Sequence, residues 1–262
     1  MAESSVLPPH KTKIIATIGP ASSSGEVMAA MLEAGMNVAR LNFSHGDFPT
    51  HARVIRDLRS ASEATGRRLA IMADLPGPKM RIGQLADEPV ELRPGGRFTL
   101  TTRDIVGGVD GASVTFARLP LVVRPGARLF LNDGLIQVEV EEVDGADVRC
   151  RVVVGGELRS RKGLNLPGID LGMAAFTARD LECLRFALEQ GVDMVSQSFV
   201  GSATDLGLLR AAADELGFNP FVIAKVERAT ALDHLDEILG AADGVMVARG
   251  DLGVEIPIER IA

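Results

Sequence analysis

Six short runs of apolar and β-branched residues, bounded by Gly, Pro, Ser or Asn, recur along the chain: KIIATI (13–18), NVARLNF (37–43), RLAIMAD (68–74), DMVSQSF (193–199), FVIAKVE (221–227) and GVMVARG (244–250). Amphipathic stretches lie between them. Ser23 with Glu26, Thr177 with Asp180 and Ser202 with Asp205 have the spacing of a capping box or its Asp variant. Gly191 follows TARDLECLRFALEQ where a helix end favours glycine. Strands alternating with helices predict a parallel α/β architecture.

From about residue 83 to 162 the rhythm changes to short β runs, FTLTT, SVTFARL, ARLFLNDG, LIQVEVEE and DVRCRVVVGG, with nothing long enough for a helix. A small all-β domain inserted after the third strand accounts for this. The expected division is 1–82 and 163–262 for the α/β part and 83–162 for the insert. Without the insert and the leader, about 170 residues remain, against about 250 for a closed eight-unit barrel. The pattern alone fits either an open doubly wound sheet or a barrel short of two units.

Composition narrows the partners. With 46% hydrophobic and 24% charged residues, the 262-residue chain can bury a full core. Lys and Arg total 28 against 35 Asp and Glu, a net charge of −7 without a polybasic run, so nucleic acid and anionic membranes have no electrostatic footprint. A small molecule is the expected partner. Cys150 and Cys183 lie in unrelated segments without metal-ligand spacing, and no apolar h-region or 18-residue apolar run occurs. These features predict a reducing cytoplasm, with no export signal and no membrane span.

The candidate chemistry collects at strand ends. In NVARLNFSHG, Arg40, Asn42 and Ser44 alternate with Leu41 and Phe43 and so share a face; in FVIAKVE, Lys225 and Glu227 do the same. Parallel α/β folds gather their sites at the C-terminal ends of strands. Taken singly, Lys-x-Glu is most often a solvated ion pair, and Arg249-Gly250-Asp251 a turn. Their coincidence changes the odds. Cations Arg40, Arg81, Arg249 and Lys225 beside carboxylates Asp74, Glu227 and Asp251 suit an anionic substrate with a divalent metal. His10, His51 and His234 are expected at surface positions, His45 in a structural hydrogen bond at least as readily as in proton transfer, and the nine Met residues in the core.

The segments TKIIATIGPAS, GMNVARLNFSHG, DLPGPKMRIG, RKGLNLPG, VIAKVE and MVARGDLGVEIP resemble the signature segments of the pyruvate kinase family, in that family's order. The resemblance covers the chain beyond its leader. It implies a (β/α)8 barrel with the β-rich insert as a lid, and transfer of a phosphoryl group from phosphoenolpyruvate to ADP, giving pyruvate and ATP in cytoplasmic glycolysis. It further implies that Arg40 binds the substrate phosphate and that Asn42, Ser44, Asp74 and Leu75 form a monovalent-cation pocket. His45, Arg81 and Lys162 would face the nucleotide phosphates, and Glu227 and Asp251 would hold Mg2+. The backbone of Ala248 and Gly250 would meet the substrate carboxylate, and Lys225 would be the transition-state cation.

Two features depart from or subdivide the family. Lys79, with Leu75 and Ile82, matches the members that work without K+, whereas members requiring K+ usually carry Glu at the position of Lys79. The family's barrel continues past the last segment with a threonine in an Ala-Thr-Gln stretch, which assists protonation of the enolate, and then a regulatory C-terminal domain. The 262 residues contain neither. The expected fold is therefore an incomplete (β/α)8-type barrel with an inserted all-β domain, lacking the contacts of the family's homotetramer. Two other readings stand beside the kinase: a catalytically incompetent short chain, or another phosphoenolpyruvate- or pyruvate-binding barrel such as a lyase. The insert and RLNFSHG speak against the lyase.

Overall fold

The computed structural model describes residues 11–261, so His10 lies outside the described residues. The six apolar runs form strands β1 (Ile14–Thr17), β2 (Met36–Asn42), β3 (Ala70–Leu75), β4 (Met194–Gln197), β5 (Phe221–Val226) and β6 (Gly244–Val247). They make one sheet in strict chain order, with parallel pairing from β1 through β5. A doubly wound sheet would reverse its strand order at a switch point. None occurs, so the winding is that of a β/α barrel. The sixth strand is shorter than the apolar run suggests. Arg249 and Gly250, read there as strand, instead open the helix Arg249–Glu255.

The chain divides into two compact units. The first comprises the chain up to Gly77, Ala175–Lys225 and Leu235–Met246. Its helices begin at polar caps. Helix α1 (Gly25–Glu33) is capped by Ser24, whose side chain accepts from the Val27 amide at 3.3 Å, one residue beyond the expected Ser23. The Ser23 hydroxyl is instead engaged with the carbonyl of Pro20. Helix α2 (Phe48–Thr65) starts at Asp47 and stops at Gly66, where φ of 62° suits glycine. It buries Val54, Ile55, Leu58 and Ala61, a stripe at helical spacing whose larger members contribute about 1.5–3 kcal/mol each. Helices α3 (Ala178–Glu189) and α4 (Ala203–Glu215) begin at the expected Thr177 and Ser202.

Strand periodicity organises the opposite face of the sheet. Val38, Met72 and Ile223 form a buried cluster with Ala70, Met194 and Met246 against it. Two residues further along four of these strands stand Arg40, Asp74, Ser196 and Lys225, on the same face because the pleat repeats every second residue. An apolar layer thus gives way to a polar one toward the C-terminal strand ends.

Among the described residues, β1 and β6 are the sheet's outer strands. Ile14, Ile15, Val245 and Val247 on them are each more than two-fifths exposed. Apolar sheet edges invite pairing with further chain. The 262-residue polypeptide is accordingly expected to self-associate, and light scattering after gel filtration checks it: a stable monomer across the micromolar range would contradict the expectation.

The second unit comprises Pro78–Ala174, Val226–His234 and Val247–Ala262. Its main sheet runs in the order Leu164–Asn165, Arg128–Leu131, Ile136–Asp144, Asp147–Val154, Arg97–Thr101, Gly111–Ser113. Alternate residues such as Phe98, Leu100, Leu129, Leu131, Ile136 and Val138 fill one core. One helical turn, Leu119–Val122, interrupts a stretch expected to contain no helix; four residues are too few to show a helical period. Both cysteines are buried, and burial pushes the Cys150 thiol up to about 12 and Cys183 up to about 11, so neither is a nucleophile near neutrality.

Candidate active site

In the first unit the polar layer converges on Asp74, at the end of β3. Arg40 donates through Nε to Asp74 Oδ2 at 2.8 Å, adds a second guanidinium bond to the same oxygen, and donates to Thr17 Oγ1 at 2.7 Å. Ser196 Oγ donates to Asp74 Oδ1 at 2.8 Å. Lys225 Nζ lies 3.2 Å from Asp74 Oδ1 and donates to Ser198 Oγ at 2.7 Å. Asp74 and Lys225 are 1% and 7% exposed. A carboxylate removed from water this far requires paired cations and hydrogen bonds. Within these three side chains two cations share one carboxylate. Glu227, two residues beyond Lys225, is a further buried carboxylate.

The end of β2 is built around Asn42. It stands opposite Asp74 in the β2–β3 register, and the Phe43 amide donates to the Asp74 carbonyl at 3.0 Å. Asn42 Oδ1 accepts from the Ser44 amide at 3.0 Å, and the Asn42 carbonyl accepts from the His45 amide. Asn42, Ser44 and Asp74 therefore occupy neighbouring strand ends. Leu75 is fully buried, leaving its carbonyl as the group it could offer a cation. His45 is exposed.

His51, expected at the surface, is buried. It stacks on Phe43 with ring centroids 4.3 Å apart and donates through Nε2 to the carbonyl of His45 at 2.9 Å, holding the turn after β2. Burial pushes its imidazole below the usual range, although the His45 carbonyl and Asp47 pull the other way. Positions 51, 54, 55 and 58 lie on one helical stripe, and that was the available signal.

In the second unit, Arg81 bridges to Gly163 across antiparallel backbone, and the Ile82 amide donates to the Lys162 carbonyl at 2.9 Å. Residues far apart in sequence, Arg81 and Lys162, are thereby set on adjacent segments. The Arg81 guanidinium donates to the Arg161 carbonyl at 2.7 Å, and Lys79 is exposed. Glu227 follows β5 and is 2% exposed. The Ala248 amide donates to the Val226 carbonyl, so Ala248, Gly250 and Asp251 begin their helix at the same strand end that Glu227 leaves. Asp251 is exposed. Among the described residues, no group of three or more His, Cys, Asp or Glu is gathered as a metal site.

Several site residues escaped the sequence reading. Thr17, Ser196 and Ser198 carry no motif, yet each bonds a charged member of the cluster. Asp180 and Asp205, recognised as helix caps, also accept from the amides of Gly77 and Ala175 at 2.8 Å. They hold the residues where the chain leaves for, and returns from, the β-rich insert. Burial pushes the Asp180 carboxyl upward.

The family description "Pyruvate kinase, barrel domain" matches residues 9–262. A pyruvate kinase of Thermococcus litoralis is 50% identical over 255 residues, covering 97% of this chain and 54% of the relative. Pyruvate kinases of Mycobacterium intracellulare and Corynebacterium glutamicum are each 44% identical over 252 residues, covering 96% of this chain and 53% of the relative. The chain spans about half the length of these relatives. With a parallel sheet wound in chain order, a charged cluster at its strand ends and a family match over nearly every residue, the chain belongs to the pyruvate kinase family, as its barrel domain.

Proposed function

We propose that the protein containing this chain transfers the phosphoryl group of phosphoenolpyruvate to ADP, giving pyruvate and ATP. The observation that carries this reading is the cluster in which the buried Asp74 and Lys225 join the half-buried Arg40 at the strand ends. Moving a phosphoryl group concentrates negative charge on the transferring group and its two flanking oxygens, so positioning and electrostatic stabilisation do most of the catalysis. Arg40 would bind the substrate phosphate. Lys225 would stabilise charge that grows toward the transition state. Arg81, Lys162 and His45 would meet the nucleotide phosphates, and the backbone at Ala248 and Gly250 the substrate carboxylate. In this reading the β-rich insert, about residues 83–162, serves as a lid that keeps water from accepting the phosphoryl group.

Glu227 and Asp251 fit Mg2+ by donor chemistry: two hard carboxylates, one just after β5 and one in the helix that follows β6, with substrate oxygens and water to complete the shell. When bound, the ion would supply Lewis-acid stabilisation of phosphoryl charge. Asn42, Ser44, Asp74 and the Leu75 carbonyl would form the monovalent-cation pocket. The ammonium of Lys79 would take over that charge, so the enzyme is expected to work without K+ and Lys79→Glu to acquire a K+ requirement. Initial rates with and without K+ check this; strong K+ activation of the unmodified protein would contradict it. The buried free cysteines accord with work in a reducing cytoplasm.

The test is pyruvate formation from phosphoenolpyruvate and ADP, with and without Mg2+, in a protein containing this chain together with the remaining length of its relatives. Mg2+-dependent pyruvate and ATP in equal amounts are expected. Pyruvate without ATP would turn the reading toward a different phosphoenolpyruvate-binding barrel.

A further inference from the structure

Ser198 sits in a closely packed backbone corner. It lies just beyond β4 and is 4% exposed. The next residue, Phe199, has φ of 59°, a left-handed conformation that a bulky side chain adopts only where the surroundings impose it. Those surroundings are specific. The buried amide of Gln197 donates to the Ser198 carbonyl at 3.0 Å. Gly77, itself at φ of 63°, approaches so closely that a Cβ there would stand 3.0 Å from the Ser198 carbonyl and 3.1 Å from its Cβ. The corner therefore has little freedom, and neither has the hydroxyl it presents.

Lys225 needs such a partner. An ammonium on a four-carbon stem is a point charge that many rotamers can carry, and holding it in one place takes fixed acceptors. Asp74 supplies one, with oxygens 3.2 and 3.4 Å from Nζ; Ser198 Oγ at 2.7 Å is the shorter contact. Asp74 is already committed to Arg40 and Ser196, on two other strands. Ser198, just beyond β4, adds a fixed acceptor to the one that β3 supplies, and each added acceptor narrows the positions the ammonium can take.

We propose that Ser198 is a positioning residue, whose hydroxyl fixes the Lys225 ammonium at the place where charge develops in phosphoryl transfer. The inference rests on the phosphoryl-transfer reading for its catalytic consequence, and on the geometry alone for the contact. Ser198 accepts from the ammonium, and its own proton stays on Oγ. It touches no reacting atom.

The test has two arms. In a protein containing this chain together with the remaining length of its relatives, labelled with 15N-lysine, the ammonium resonance assigned by its loss in Lys225→Met is expected to show slowed proton exchange, and Ser198→Ala to speed that exchange about tenfold or abolish the signal. In a protein that turns over phosphoenolpyruvate and contains this chain, Ser198→Ala is expected to lower kcat about tenfold, with KM changed less than about twofold. In a Lys225→Met background the same substitution is expected to cost nothing more, since a hydroxyl acting through Lys225 has nothing left to position. A Lys225 resonance indifferent to Ser198→Ala would overturn the proposal. So would an equal loss of kcat in both backgrounds, the mark of a merely structural serine. If the unmodified protein forms no pyruvate while the resonance still depends on Ser198, the phosphoryl-transfer reading has failed and the contact stands.

Discussion

Asp74→Ala is expected to destabilise the chain by about 3–5 kcal/mol, the loss typical when one partner of a buried ion pair is removed. Asp74 Oδ2 holds the Arg40 guanidinium, both oxygens lie near the Lys225 ammonium, and Oδ1 accepts from Ser196. Without the carboxylate, two cations face each other in a space that excludes most water, and Ser196 loses its acceptor. The urea midpoint reports the loss if the slope of the transition is unchanged. A second substitution sharpens the attribution. In Asp74→Ala/Lys225→Met one of the stranded charges is gone, so the double variant should be less destabilised than the sum of the two singles. Strict additivity, or a loss of about 1 kcal/mol or less from Asp74→Ala, would mean that Asp74 is not the hub of the cluster.

Much of this architecture was legible in the residues because it depends on periods. Strand runs such as 37–43 and 68–74 announced themselves by apolar content, and alternation placed Arg40 and Asn42 on one face. Thr177 and Ser202 marked helix starts through local chemistry. Strand order was not legible in the periods. The same six runs suit a doubly wound sheet; the family resemblance implied the barrel, and the pairing of each strand with its successor shows its winding.

Failures of the reading share a physical cause, competition between partners that are far apart or equally near. Ser23 and Ser24 are both good caps, and the carbonyl of Pro20 decided between them by engaging the Ser23 hydroxyl. His51 sits on the apolar stripe of α2, and stacking on Phe43 outweighed its polarity. Ser196 and Ser198 acquire their roles from Asp74 and Lys225, on other strands, so no local pattern could single them out. The charged residues of the cluster stand out in the sequence because ions are rare on apolar strands; their neutral partners are not rare anywhere.

In the proposed reaction Lys225 is expected to act on the transition state more than on the bound substrate. Lys225 is 7% exposed and its ammonium is held by Asp74 and Ser198, where a charge is worth far more than in water and needs no reorganisation as the reaction proceeds. Lys225→Met keeps the length of the stem and removes the charge. Measured in an active protein containing this chain, the substitution is expected to lower kcat about a hundred- to a thousandfold, as loss of one preorganised charge-stabilising group does. The dissociation constant of phosphoenolpyruvate should change less than about threefold, because in the proposed reading Arg40 remains to bind the phosphate. The measurement is therefore a paired one, single-turnover pyruvate formation beside equilibrium binding of phosphoenolpyruvate. A large fall in rate with binding preserved is the result this account predicts; binding weakened by as much as the rate, or a rate left intact, would contradict it.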